Sequence, residues 1–220
     1  MGVSREQAAE NRRAIVAAAE KLFRERGVDA VGLAELMKAA GFTQGGFYNH
    51  FKSKDALVAA VMDKALAEGG ETVAAVVDQA RSAGADAPGV DTPGADALEQ
   101  HIRTYLSPEH RADIDAGCPL SGFAGDARRL DDESRAAYAG GLAAYLDQIA
   151  TVFEARGEKS SRAKAIALFS GMVGTLVLSR AVADVAPALA DEILGEGRQH
   201  LLDTTALQQG KHGRARSRTR

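Results

Sequence analysis

An all-α fold is predicted for this chain of 220 residues, with a three-helix head of helix-turn-helix form ahead of a larger helical body. Three observations predict it. Apolar residues recur at i, i+3, i+4 and i+7 through nearly every segment, and no stretch alternates with the period of two that a half-buried strand requires. Glycines and prolines punctuate the periodic runs, where they stop one helix and turn the chain toward the next. Charge is unevenly divided: residues 1–54 carry nine Lys/Arg against six Asp/Glu, residues 55–205 thirteen against twenty-four, and residues 206–220 five against none. A basic head on an acidic body suits a reader of nucleic acid with a separate regulatory module. Chance clustering on solvated faces is the plain alternative.

The first helix is expected from Ser4 to Arg26, its stripe made by Ile15, Ala18, Ala19, Leu22 and Phe23, and Gly27 supplies a left-handed stop. A second, short helix spans about Leu33 to Ala40, with Leu33, Leu36, Met37 and Ala40 inward and Gly41 turning the chain. Thr43 is a plausible N-cap for a third helix, Gln44 to about Phe51, because its hydroxyl can accept from a free backbone amide. Ser53 caps a fourth helix that extends to about Ser82. The proline- and glycine-rich run Ala83–Gly94 reads as a loop. Helices resume at Ala95–Leu106, restart at Ser107-Pro108, and continue as Pro119–Leu130 and Asp131–Arg156, the last with a possible bend at Gly140-Gly141. Ser160–Asp184 is the most apolar helix, and Pro187 opens a final one to about Leu207. The basic tail after Gln208 is expected to be disordered. Domains are accordingly placed at 9–69, 70–207 and 208–220.

Hydrophobic content of 45% permits a sizeable core. No apolar run is read as approaching the ~18–20 residues of a membrane span, and the polar N-terminus has no signal-peptide core, so a cytoplasmic protein away from membranes is expected. The single cysteine, Cys118, excludes an internal disulfide and a cysteine-cluster zinc site. Scattered histidines (His101, His110, His200) give no metal cluster. No cofactor is expected. No nucleophile–base pair, phosphate loop or spaced carboxylate pair emerges, so no enzyme is expected.

The run Gly41-Phe42-Thr43-Gln44-Gly45-Gly46-Phe47-Tyr48-Asn49-His50-Phe51-Lys52-Ser53-Lys54 is the most informative stretch. Its spacing makes a helix-turn-helix in which the second helix enters the major groove. Thr43 and Gln44 are the expected base readers, while Tyr48, His50 and Lys54 would hold phosphates and fix the register. Phe47 and Phe51 read as core, together with Leu36. Gly45 and Gly46 each weaken a helix by roughly 1 kcal/mol relative to alanine, which points to close approach of another molecule's backbone.

Gly27 to Val61 resembles the DNA-binding head of the tetracycline-repressor (TetR) family of bacterial regulators. The resemblance is carried by Ala39-Ala40-Gly41-Phe42-Thr43, Gly46-Phe47-Tyr48-Asn49-His50-Phe51 and Lys52-Ser53-Lys54-Asp55-Ala56-Leu57. It implies backbone contacts from Tyr48, His50 and Lys54, and base or nearby phosphate contacts from Thr43, Gln44 and Gly45, with Gly46 and Asn49 on the same surface. Gly32 and Ala34 depart from the pattern, which usually has a capping Thr or Ser and a polar residue there. The resemblance further implies a homodimer on a palindromic double-stranded DNA operator. Its interface would come from the last two helices, here with Phe169, Met172, Val173, Leu176 and Arg180 as candidates; burial within the monomer is the alternative for that apolar helix.

The resemblance also implies a pocket for a small-molecule effector whose binding releases DNA. Candidate liners are Tyr105, Phe123, Tyr138, Tyr145, Phe153 and Phe169, each of which also reads as ordinary core. Cys118, in Gly117-Cys118-Pro119-Leu120, is either a thiol sensor at a helix N-terminus or a small buried hydrophobe. A helical interaction adaptor with a weakened DNA head is the rival of another class.

Overall fold

The Ser4 hydroxyl accepts from the Gln7 amide at 3.1 Å, satisfying one of the free donors at a helix start and opening α1 (Arg5–Arg26). Gly27, at φ 82°, ends it as expected. α2 (Leu33–Ala39) begins at Gly32, which offers no side-chain cap. A 3₁₀ segment, Gln44–Asn49, follows. α3 (Lys54–Ala85) starts where Ser53 Oγ accepts from the Ala56 amide at 3.1 Å. This computed structural model describes residues 4–85 and 95–216, with side chains over 4–78 and 97–206; most of the expected loop, 86–94, and residues 217–220 of the tail lie outside it. All the elements among the described residues are helical.

α4 (Ala95–Tyr105) leads to α5 (Pro108–Ala112), capped by Ser107 Oγ on the His110 amide at 3.1 Å. The single helix expected over Pro119–Leu130 is corrected: α6 covers only Pro119–Gly122, and a 3₁₀ turn, Ala127–Arg129, comes after it. Burial explains the break. Phe123 is fully buried among the residues of the head, so the chain turns there to seat the ring. α7 (Asp132–Ala155) is capped by Asp131, whose Oδ1 accepts from the Glu133 and Ser134 amides at 2.9 and 3.1 Å. The Ser134 hydroxyl bond and these amides hold the Asp131 carboxyl below its usual range. α8 (Ser161–Val182) follows a turn with left-handed backbone at Gly157 and Ser160. α9 (Pro187–Arg216) runs past the expected end near Leu207, so residues 208–216 continue a helix.

The chain divides into two compact units, the first being Met1–Gly69 with Ile114–Leu142, the second Gly70–Asp113 with Ala143–Arg220. The leading segment of the first unit ends at Gly69. The body residues 114–142, however, group with the head. The reason lies in the packing of that unit. Its core joins Ile15, Phe23, Leu36, Met37, Phe47, Phe51, Leu57 and Val61 to Phe123, with Leu130 and Tyr138 packed against them. Each such large apolar side chain stabilises by about 1.5–3 kcal/mol when fully buried. Arg24, its side chain 3% exposed, bonds Glu20 Oε1 through Nη2 at 2.7 Å and donates to the Gly117 carbonyl at 2.5 Å. Lys64 reaches the second Glu20 oxygen at 2.9 Å.

In the second unit α8 packs closely on α9. A methyl at Gly171 would come within 2.9 Å of Leu201, and one at Gly197 within 2.5 Å of Thr175. Ser179 Oγ donates to the Ala190 carbonyl at 2.7 Å. Contrary to the expectation that no apolar run suits a membrane, α8 is long and apolar enough to cross one by length and composition. Its Leu168, Phe169, Met172 and Leu176 are instead buried within the fold.

Candidate nucleic-acid interface

Three local facts shape the surface that follows α2. Gly41, at φ 83°, lets the Phe42 amide reach back to the Met37 carbonyl at 2.8 Å, closing α2 and reversing the chain. Thr43 is extended, and its hydroxyl makes no cap bond, contrary to the expected N-cap. Its carbonyl takes the Gly46 amide at 3.0 Å instead. The next element is a 3₁₀ helix and not the two-turn α-helix the sequence suggested. Paired glycines at its start remove the propensity for a regular α-helix, and short connectors commonly take the tighter form.

One side chain anchors this segment. Phe47 is fully buried against the α2 residues Leu36 and Met37 in the head's core, stacked on Phe51 with centroids 5.8 Å apart. The remaining residues turn outward: Thr43, Gln44, Gly45, Tyr48 and Asn49 are exposed, and Gly46 and His50 are half-buried. Tyr48 stands 69% exposed, its ring edge-on to Phe47 at 5.3 Å. His50 lies beside Phe42 at 6.4 Å. A Cβ at Gly45 would meet nothing within 4 Å, and Gly46 has only distant neighbours at 3.9 Å. Neither needs a positive φ, so the folded chain itself gives no reason for the pair.

Lys54 differs from expectation. Its Nζ donates to the Val28 carbonyl at 2.7 Å and sits 5.8 Å from the Phe23 ring, tying the start of α3 to the α1–α2 turn. Arg12 is a residue the sequence reading missed. Exposed on α1, its guanidinium lies over the Phe51 ring at 4.5 Å, which brings a fixed cation beside the 3₁₀ segment. Only the packing of α1 on Phe51 reveals it, because an arginine on the polar face of a helix carries no motif.

The candidate pocket residues fall into two groups. In the second unit Tyr145 and Phe169 approach to 4.1 Å between ring centroids, and Tyr105 meets Phe169 edge-on at 6.2 Å. Buried His101 joins them, its Nε2 2.7 Å from Tyr145 Oη. Phe153, in the same unit, is buried. Cys118, Phe123 and Tyr138 belong to the first unit. Phe123 is part of the head's core. Tyr138 Oη donates to the Leu120 carbonyl at 2.6 Å, and burial, with Cys118 adding to it, pushes its hydroxyl up to about 12. Cys118 is half-buried at the head of the four-residue α6.

The expected dimer residues are also corrected. Phe169, Met172 and Leu176 point into the monomer, and Val173 is half-buried. Arg180 donates to the carbonyls of His110, Arg111 and Asp113 at 2.5, 3.0 and 3.0 Å. The exposed apolar side chains of α8 are Ile166, Val177 and Leu178, continued by Val185 and Leu189. A helix apolar on both faces does not disclose by periodicity which face turns inward. A buried charge cluster, Arg156 with Glu158 and Lys164, was likewise missed, since an arginine at a helix end before a glycine reads as a solvated cap.

A short polar segment held out by one buried aromatic, at the exit of a tight helical turn, defines a helix-turn-helix DNA-binding head. Residues 15–61 match the family model for bacterial regulatory proteins of the tetR family. The HTH-type transcriptional regulator TtgR of Pseudomonas putida is 43% identical over 60 residues, 27% of this chain and 29% of TtgR. The match to that relative therefore spans less than a third of its length. The transcriptional regulator Rv0196 of Mycobacterium tuberculosis is 28% identical over 184 residues, covering 80% of this chain and 87% of its own. Among solved structures, SmeT of Stenotrophomonas maltophilia in complex with triclosan aligns with TM-score 0.59 at 23% identity, over 89% of this chain and 90% of that one. Residues 15–61 therefore carry a helix-turn-helix head of the tetR-family type.

Proposed function

We propose that the chain is a transcriptional repressor that binds a palindromic DNA operator as a homodimer in the cytoplasm and lets go when its body binds a small molecule. The observation that carries the DNA half of this reading is the glycine pair. Gly45 and Gly46 weaken the segment and answer to no contact inside the fold, whereas a bare backbone lets a groove wall come close. Around them, Thr43 and Gln44 read base edges, and Tyr48, Asn49 and His50 bond phosphates. Arg12, held on Phe51, adds a further phosphate contact. Lys54 acts mainly by bracing the turn, with donors left over for a phosphate. Repression follows from occupancy of the operator, and no catalytic role is assigned to any residue.

The effector half rests on SmeT, a repressor whose complex with triclosan shares this fold, and on the aromatic group Tyr105, Tyr145 and Phe169. The dimer rests on the exposed apolar face of α8.

Fluorescence anisotropy on a labelled duplex of the DNA upstream of the chain's own gene tests the reading. Binding should weaken steeply from 50 to 200 mM salt, as phosphate contacts require. Tyr48→Ala should lose about tenfold in affinity with its melting temperature unchanged, and Gly45→Val should lose at least as much through a clash with DNA. Lys54→Met should lower both affinity and melting temperature. Unchanged affinity in Tyr48→Ala and Gly45→Val together would remove this surface as the DNA contact.

A further inference from the structure

The connection from α7 to α8 buries charge where a turn ordinarily leaves it in water. Arg156, the residue after α7, has a side chain 0% exposed, and that of Glu158 is 3% exposed. They are held there by the turn itself, in which the Gly157 amide bonds the Glu154 carbonyl at 2.8 Å and the Glu158 amide bonds the Phe153 carbonyl at 3.0 Å. Arg156 Nε stands 3.4 Å from Glu158 Oε1, within ion-pair range, yet none of Nε, Nη1 and Nη2 has a hydrogen-bond partner among the described residues. The other Glu158 oxygen is taken by Lys164, whose Nζ donates to it at 2.5 Å.

Two cations thus face one carboxylate, Lys164 partly in water and Arg156 fully buried, and one positive charge is left over. The Phe153 ring lies 5.8 Å from the guanidinium, so the surroundings on that side are apolar. A guanidinium presents five N–H donors in a rigid fork and is not relieved of its proton by ordinary burial. Left without acceptors out of water it destabilises the fold, and an anion seated on the fork would reverse that.

We propose that Arg156 is the anion-recognition point of the body's effector site and takes the carboxylate of a monoanionic organic acid with an apolar body. This rests on the reading that the body binds an effector. Planar carboxylates accept two parallel bonds from the fork. One excess charge matches one carboxylate, whereas a phosphate dianion would leave a buried negative charge. The Phe153 ring offers the apolar part a partner.

The test uses the full chain, its melting temperature with benzoate, hexanoate, neutral benzamide or inorganic phosphate, and its operator affinity under the same conditions. Benzoate or hexanoate should raise the wild-type melting temperature by several degrees at millimolar concentration, with no shift from benzamide and less from phosphate. Arg156→Met should melt at or above the ligand-free wild type and show at least a tenfold weaker carboxylate response. Arg156→Lys, which keeps the charge but loses the fork, should fall between the two. The proposal is overturned by an equal carboxylate shift in Arg156→Met, by no shift from either carboxylate, or by a larger shift from phosphate. A strong loss of stability in ligand-free Arg156→Met also overturns it, because the guanidinium is then simply the structural partner of Glu158. A carboxylate that raises the wild-type melting temperature through Arg156 but leaves DNA bound keeps the site and removes the release reading. Release of DNA by benzamide, with no response to either carboxylate, does the reverse.

Discussion

His101 is a titratable group placed where a proton is unwelcome. It is buried in the second unit with Nε2 2.7 Å from Tyr145 Oη. Burial first, and the nearby His110 second, hold its imidazole down at about 4, against 6.5 for a free one. In the folded chain it stays neutral, while in the unfolded chain it takes a proton below about pH 6.5. Between those limits the unfolded state binds more protons, so stability is full above about pH 6.5 and drains away as pH falls toward 4. The expected loss from pH 7 to pH 5 is about 2 kcal/mol in urea unfolding, and it should be absent in His101→Gln. A loss of the same size in that variant would assign the acid sensitivity elsewhere. At this scale the sequence was legible for outward polar residues and blind to paired ones. Tyr48 and Gln44 are exposed as their motif implies, but Lys54 and Arg12 take roles set by Val28 and Phe51, which only the packed helices bring near.

Helix starts were legible because their signals are local. Ser4, Ser53, Ser107 and Asp131 each cap within three residues of themselves, and Gly27 and Gly41 stop helices by their own backbone. The broken helix after Pro119 was not legible, since its cause is the distant core that Phe123 enters. Glycines inside helices divide in the same way. Gly140, exposed on α7, has open space where a Cβ would go, whereas a Cβ on Gly197 of α9 would sit 2.5 Å from both Cγ2 and Oγ1 of Thr175. Turning a β-branched side chain exchanges one of those atoms for the other and gives little relief. Gly140→Ala should therefore stabilise by roughly 0.5–1 kcal/mol through helix propensity, and Gly197→Ala should destabilise by about 1–3 kcal/mol through overpacking. Urea midpoints of the two variants measure both. Shifts of the same sign would mean that the α8–α9 contact is looser than this geometry.

For the whole molecule, the sequence placed the first boundary at 69/70 but ran the body on without a break, because the grouping of 114–142 with the head depends on contacts such as Arg24 to Gly117. The same limit hid which side chains of α8 face outward. An apolar helix was read as an interface, while the side chains chosen for it, Phe169, Met172 and Leu176, turn out to be the core-facing set. The outward set is Ile166, Val177 and Leu178. Large apolar side chains left exposed on one helix suit an interface, and a two-fold axis lets such a face cover its own copy. Dimerisation through it would present two heads to successive major grooves, about 34–36 Å apart for this class of motif. Ile166→Glu with Leu178→Glu should then yield a folded monomer by light scattering at micromolar concentration. That monomer should still bind a single half-site weakly, but lose at least a hundredfold on the full operator, since the second head no longer arrives with the first. Met172→Glu should instead unfold the second unit, as a charge forced into its core. A double variant that remains dimeric, with operator affinity intact, would put the interface on another face.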